Sequence, residues 1–261
     1  MSRPFILLAL SAFLALPLHA QETLVFTPQW TAQAQFAGYY VAMEKGFYDE
    51  EGVRVQIVHP NATQSSIERI SSNRSHATTL QLAQAVQMID EGIPLVNLLQ
   101  TSMNNALVII SRKGTDPLKM PGAKVAIWQA GFTLPEEGVY RFAEHGYNIQ
   151  EDGLYVTRDY YRKHQKQADA FARASRRGWE YAAAHPEEAL AIVMDYVRRN
   201  NIATNPVLQR LMLEEILRLQ LDPDSGEREF RLREDMLRQV SDLMLRAGQI
   251  HRPVTLEDLS R

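Results

Sequence analysis

The segment from Val25 to Ile57, VFTPQWTAQAQFAGYYVAMEKGFYDEEGVRVQI, most narrows what this chain can fold into, because a strand, a loop, a helix and a second strand can be read along it. Leu24, Val25 and Phe26 are apolar and β-favouring. Pro28 removes a ladder donor and ends the strand, and Phe36, Tyr40 and Met43 then share one face of a helix. Gly46 closes that helix. Gly52 turns the chain into Val53, Val55 and Ile57, whose alternation is that of a half-buried strand. In open α/β sheets ligands sit just beyond the carboxyl ends of the strands, which here means the loop Thr27–Gln35. Trp30 and Gln35 are therefore placed where a small molecule would bind.

Two further β-α units are expected. The first is a helix over Gln64–Ser72 and a short strand over His76–Thr79; the second is a helix over Leu80–Asp90 and a strand over Pro94–Leu99. Strands alternating with helices argue for a parallel sheet. Ala106–Ser111 is a continuous apolar run, and Arg112–Gly122 is a polar connection bearing Pro and Gly. Further on, Phe171, Ala174, Gly178, Tyr181 and Ala182 follow a helical stripe, and Pro186 restarts a helix at an allowed first-turn position. The C-terminal third, Pro206–Gly248, reads as amphipathic helices with Leu211, Ile216, Leu219, Met236, Val240, Leu243 and Met244 inward. Asp222–Gly226 makes the turn between them.

The spacing of Trp30, Gly38, Tyr40, Ala42, Lys45, Gly46 and Phe47, followed by Glu51 and Gly52, resembles the opening run of the periplasmic binding proteins for thiamine-pyrimidine, sulfonate, taurine and nitrate uptake. The QFAGYY wording is that of the pyrimidine-binding branch, and it also occurs in sensor ectodomains. The resemblance covers roughly residues 24–130 and 140–221. It implies an α/β fold: a type II periplasmic-binding-protein lobe, its parallel or mixed sheet flanked by helices, with a truncated second lobe and a helical C-terminal region. The truncation is expected because Gly131 and Phe132 run almost directly into Val139, Tyr140, Arg141 and Phe142, where relatives of ordinary build continue a second α/β lobe opened by the strand corresponding to Lys124–Trp128. A strand left without its own core exposes a sheet edge, so self-association there is an expectation.

The implied boundaries are a signal peptide at 1–20, the first part of lobe one at 21–115, a truncated lobe two and crossover at 116–146, and a return with C-terminal helices at 147–261. Arg3, the apolar run Phe5–Leu18 and Ala20 read independently as a secretory signal, so a periplasmic protein is expected. The chain holds no Cys, which leaves no disulfide framework and no thiolate metal site. A formal charge of −3 gives no general reason to expect nucleic acid as a partner. The basic run Arg158–Arg177, interleaved with Tyr160, Tyr161 and Phe171, fits a solvated helix face better than a binding patch. His59, His76, His145, His164, His185 and His251 show no metal-ligand spacing.

The candidate ligand-binding residues carry specific chemistry. Trp30 could stack on a flat heteroaromatic ring, which typically adds about 0.5 to 1.5 kcal/mol beyond burial. Gln29 and Gln35 offer both donors and acceptors, which suits a pyrimidine edge, although solvating the loop accounts for them as well. Tyr39 and Tyr40 point to different sides of their helix, so at most one faces the cleft; Tyr39 is retained as a candidate. Thr78, Thr79 and Gln81 end a strand and open a helix whose free amides can hold an anionic group or simply be capped. By resemblance, Trp128, beside Gln129, closes the cleft from the opposite lobe. Glu151, beside Asp152, lies at the returning crossover and could take a ring amine or form hinge hydrogen bonds.

The resemblance implies a solute-binding component of an ABC importer. It would carry a thiamine-precursor pyrimidine or a similar small heterocycle to a permease in the inner membrane, with no catalysis and no cofactor. A ligand-sensing or interaction module for a membrane partner is the alternative. The same superfamily includes fungal pyrimidine synthases that use pyridoxal phosphate, iron and a Cys-rich motif. Their cofactor lysine and donor histidine align with Thr79 and Ala83 here, and the Cys are missing, which argues against that enzyme.

Overall fold

The computed structural model describes residues 22–110 and 139–261, so the expected signal segment, the expected strand Val125–Trp128 and the candidate Trp128 lie outside the described residues. The chain begins with β1 (Leu24–Thr27), a 3-10 turn (Ala34–Phe36), α1 (Ala37–Glu44), α2 (Phe47–Glu50) and β2 (Val55–Ile57). It continues through α3 (Ser66–Ser71), β3 (Ala77–Gln81), α4 (Leu82–Asp90) and β4 (Leu95–Gln100). β5 (Val108–Ile110) and β6 (Val139–Arg141) pair antiparallel as a separate ribbon. A 3-10 turn (Phe142–His145) leads to β7 (Asp152–Thr157), then α5 (Arg158–Ala184), whose helix is broken at His164. The rest is helical: α6 (Pro186–Arg199), α7 (Pro206–Leu219), α8 (Glu234–Arg246) and α9 (Leu256–Leu259).

The main sheet has five strands in the order β2-β1-β3-β7-β4. The strands of the β-α units run parallel to one another, as alternation predicts, but β7 enters antiparallel between β3 and β4 and makes the sheet mixed. The register pairs Thr79 with Leu154 and Val96 with Val156. Residues 153–156 of β7 are all buried because both faces of the sheet are covered. Leu154 and Val156 join a cluster with Phe26, Tyr39, Phe171 and Trp179. Tyr155 joins a second cluster with Leu82, Val86, Leu237 and Val240.

α1 and α5 cross in backbone contact because each presents a glycine at the crossing. A Cβ added at Gly178 would lie 2.0 Å from the Gly38 carbonyl oxygen, and one at Gly38 would lie 2.2 Å from the Trp179 ring. Trp179 is thereby pressed edge-on against Tyr39, with ring centres 5.7 Å apart. Gly46, at φ 73°, allows the left-handed turn from α1 into α2.

Part of the basic run on α5 is spent within the molecule: Arg173 pairs with Glu51 at 2.8 Å and Arg177 with Glu50 at 2.7 Å. Lys45–Glu188 and Arg199–Glu44 similarly link α1 to α6. These pairs are exposed, so each adds at most about 1 kcal/mol. Some expected boundaries shift. Leu80 and Gln81 belong to β3 rather than to α4, since strand pairing with β7 continues to Gln81. Leu211 is 43% exposed, and the buried stripe of α7 runs through Leu213 and Leu217 instead. Among the described residues no helix is long and apolar enough to cross a membrane.

Candidate functional site

Because β7 is antiparallel to its neighbours, its first residues lie at the same sheet edge as the carboxyl ends of β1, β3 and β4. Segments more than a hundred residues apart therefore meet there. The Gln29 side-chain amide donates to Asp152 Oδ1 at 2.8 Å, and that of Gln35 makes a short hydrogen bond to Asp152 Oδ2. Gln33 in turn donates to Gln35 Oε1 at 2.7 Å. The Gln29 backbone N–H donates to Thr79 Oγ1 at 2.9 Å, which ties the loop after β1 to the end of β3.

The backbone around the acidic pair is held just as closely. The Asp152 carbonyl accepts from the N–H groups of Thr101 (2.9 Å) and Ser102 (3.0 Å) and from Gln100 Nε2 (2.9 Å). The Glu151 carbonyl accepts from Leu82 N–H at 2.8 Å, and its carboxylate accepts from Ala106 N–H at 3.2 Å. Burial pushes the Asp152 carboxyl above its ordinary range, opposed by the amides of Gln35 and Gln29. Burial is also the main cause at Glu151, followed by the charge of Asp152, and together they push it up to about 7 against the pull of Ala106 N–H. Among the described residues, no Lys or Arg pairs with either carboxylate.

Trp30 stands at the rim with 39% exposure. Its backbone is anchored: His59 Nδ1 donates to the Trp30 carbonyl at 2.8 Å, and Tyr40 lies 3.0 Å from His59 Nε2. In the neutral tautomer that donates from Nδ1, Nε2 accepts from the Tyr40 hydroxyl, and burial holding the imidazole below its usual pKa agrees with that form. Tyr40 is stacked on Tyr196 with ring centres 4.0 Å apart, so the loop carrying Trp30 is fixed through His59 to the helical core. At the far side of the same loop, Ala34 N–H donates to the buried Gln209 Oε1 at 2.7 Å. Replacing Gln209 by Ala strands that donor and should cost about 1–3 kcal/mol in urea unfolding; a change within error would mean that water replaces the acceptor.

Of the candidates, Gln29, Gln35, Thr79 and Glu151 come together here, with Trp30 next to them. Neither tyrosine presents its ring to solvent: Tyr39 is 1% exposed and Tyr40 is fully buried. The Tyr39 hydroxyl nevertheless has no hydrogen-bond partner among the described residues. Thr78 is buried, and its hydroxyl donates to the Thr27 carbonyl at 2.8 Å, inside the sheet. Gln81 is exposed and shares a reciprocal cap with Gln84 at the start of α4. With Leu82 N–H given to Glu151, the start of that helix is largely satisfied internally, and the expectation of free amides waiting for an anion gives way. Asp152 receives more side-chain donors than Glu151, although adjacency in sequence made the two look alike. The signal that separates them is strand alternation, and it becomes readable only once β7 is in register.

A further acid-rich loop does not compete as a site, because Asp222, Asp224 and Asp235 all converge on Arg233.

A mixed sheet walled by helices, with polar side chains gathered at the carboxyl ends of its parallel strands, is the periplasmic-binding-protein fold. Solved structures with the same fold include a protein of Bordetella bronchiseptica RB50 (TM-score 0.63, 9% identity, 92% of this chain and 94% of that one). A Candida albicans gene product described as having the generic periplasmic binding protein fold matches at TM-score 0.61 and 12% identity, over 92% of this chain and 96% of that one. The periplasmic aliphatic sulphonate binding protein SsuA of Escherichia coli matches at TM-score 0.58 and 10% identity, over 93% and 92%. The NMT1/THI5-like family model matches residues 33–136 and 135–189, and the chain belongs to that family. A Haemophilus influenzae protein named for thiamine biosynthesis is 25% identical over 122 residues, 46% of this chain. The match spans 39% of that relative's length.

Proposed function

We propose that this chain is a periplasmic solute-binding component of an ABC importer, holding a small heterocycle such as a thiamine-precursor pyrimidine and handing it to an inner-membrane permease without catalysis. One observation carries the reading: Gln29, Gln35 and Asp152 converge at the carboxyl edge of the sheet, beside an exposed Trp30 whose backbone is pinned by His59. An aromatic face next to hydrogen-bonding edge groups suits a flat ring with polar substituents. The family match and the fold support the class. The relative named for thiamine biosynthesis supports the ligand.

Thermal melting of the mature chain, 21–261, with aminopyrimidines, thiamine, sulfonates and taurine tests the proposal. A ligand present at about 100 times its dissociation constant adds about 2.7 kcal/mol, and aminopyrimidines are expected to raise the midpoint. A panel that moves nothing would defeat the reading. Trp30→Ala should weaken the bound ligand by up to about tenfold, the upper end of a stacking contribution, while the unliganded midpoint moves less than for a core tryptophan because Trp30 stands 39% exposed at the rim. Unchanged affinity would take Trp30 out of the site.

A further inference from the structure

We propose that the Glu151–Asp152 pair makes this site selective for a cationic ligand that donates N–H groups, of the amidinium class, and that binding releases a proton; the proposal rests on reading the edge around Trp30 as the ligand cleft. The donor inventory comes first. Both candidate amides spend an N–H on Asp152, so they have fewer donors left for an incoming anion. What remains is largely acceptors. Gln29 Oε1 is buried with no partner among the described residues, each Asp152 oxygen receives one side-chain donor and has lone pairs left, and Glu151 receives only the N–H of Ala106.

A second observation comes from beneath the pair. Tyr39 and Trp179 are each 1% exposed and their rings meet edge-on; the Trp179 indole N–H and the Thr101 hydroxyl lie near the Tyr39 hydroxyl without reaching good hydrogen-bond geometry. The Tyr39 hydroxyl lies close enough to Asp152 to feel its charge. Buried polar atoms left unpaired are rare in native proteins and call for an explanation. A planar N–H-bearing group reaching Asp152 would bring a donor to Gln29 Oε1, the buried acceptor beside it; the Trp179 indole N–H, itself a donor, is not served by such a group. A sulfonate or nitrate would meet two carboxylates with no cation among the described residues to offset them, and a neutral amide would gain only hydrogen bonds.

The proton follows from the surroundings of Glu151. Asp152, the first residue of β7, is the only ionisable group among the described residues whose charge acts on it. α4 offers the Leu82 N–H with Gln81 and Gln84, the loop after β4 (residues 101–107) offers the Ala106 N–H and no ionisable side chain, and the loop after β1 (residues 28–35) also has none. With Glu151 pushed up to about 7, a cation settling beside it favours the ionised form and expels the proton, so affinity rises as pH climbs through that value.

Three probes share one ring and differ in charge: benzamidine, benzamide and benzenesulfonate. Calorimetric titration of the full chain at pH 6 and pH 8 should show benzamidine binding at least tenfold tighter than benzamide, and no heat from benzenesulfonate. Benzamidine should tighten severalfold from pH 6 to pH 8, with proton release detected by changing the buffer's ionisation enthalpy. Glu151→Gln should still bind and lose the pH dependence, and Asp152→Asn should lose at least tenfold. Equal affinity for benzamide and benzamidine would overturn the proposal, as would binding of benzenesulfonate. Binding of a neutral aminopyrimidine that Trp30→Ala weakens, with none of benzamidine, would also overturn it and leave the solute-binding reading intact. Silence from every probe and every aminopyrimidine would defeat both.

Discussion

Gly178→Ala is expected to cost this protein at least about 3 kcal/mol, enough to leave a marginally stable chain partly unfolded at room temperature. The new Cβ would sit 2.0 Å from the Gly38 carbonyl oxygen, 2.8 Å from the Ala42 Cβ and 2.9 Å from the Ala42 nitrogen. Two of those three atoms are backbone, so no rotamer change relieves the clash. α1 and α5 would have to move apart, and Trp179 and Tyr39, buried between them, would lose their packing with Phe26 and Phe171. Urea unfolding of Gly178→Ala beside Arg162→Ala, an exposed position on the same helix, separates this from a propensity effect. Alanine is the better helix former by about 1 kcal/mol, so propensity alone predicts stabilisation. A variant as stable as the parent would show that the crossing is not held by backbone contact.

Glu151→Gln should do the opposite and stabilise the unliganded protein at pH 8, by roughly 2–3 kcal/mol. In the folded chain this carboxyl titrates near 7 rather than at its ordinary 4.5. Folding therefore favours its protonated form. As pH rises from 4.5 the unfolded chain ionises first, and stability falls until the folded carboxyl ionises too, near 7; above that the loss is constant. The rise from the ordinary 4.5 to about 7 corresponds to about 3 kcal/mol, less whatever water reaches this partly exposed side chain. Gln cannot ionise, so the gap between variant and parent should be small at pH 4.5, open toward pH 7 and hold to pH 8. Parallel urea melts at pH 5 and pH 8 check it. A parent whose stability does not fall between them would mean that Glu151 is solvated in the folded chain. If the gain appears, the parent carries this carboxylate at a cost to its own stability, as a binding residue would.

Much of the sheet could be read from the chain because its signals are local. The alternation in Val53, Val55 and Ile57, the stop at Pro28 and the glycine at the end of α1 act within a few residues, and the structure places β1, α1 and β2 where they point. Phe171, Ala174, Gly178 and Ala182 are buried along α5 as their spacing requires. The direction of β7 was not legible. A six-residue strand carries no signal of its own direction, and its place depends on β3 and β4, both more than fifty residues away. At the site, Gln29, Gln35 and Trp30 follow from being next to the end of β1. The prominence of Asp152 depends on non-local pairing and is hidden for the same reason. Tyr39 shows another limit: helical phase predicts that it and Tyr40 point apart, yet both sides of α1 are covered, one by β1 and α5 and the other by α6.

The insertion of β7 between β3 and β4 has a consequence for how this chain can assemble. Residues 24–100 supply four strands of the sheet, but two of them have no hydrogen-bonded contact with each other until residues 152–157 arrive to join them. A nascent chain that has emerged only as far as Gln150 would hold a sheet split in two, with an open slot one strand wide. Such a fragment should stay molten and prone to accept a foreign strand, and completion must wait for a segment that arrives late. The same slot makes the chain divisible. A peptide carrying residues 152–157 and the following helix, supplied separately, should be the piece that restores the sheet formed by residues 24–100.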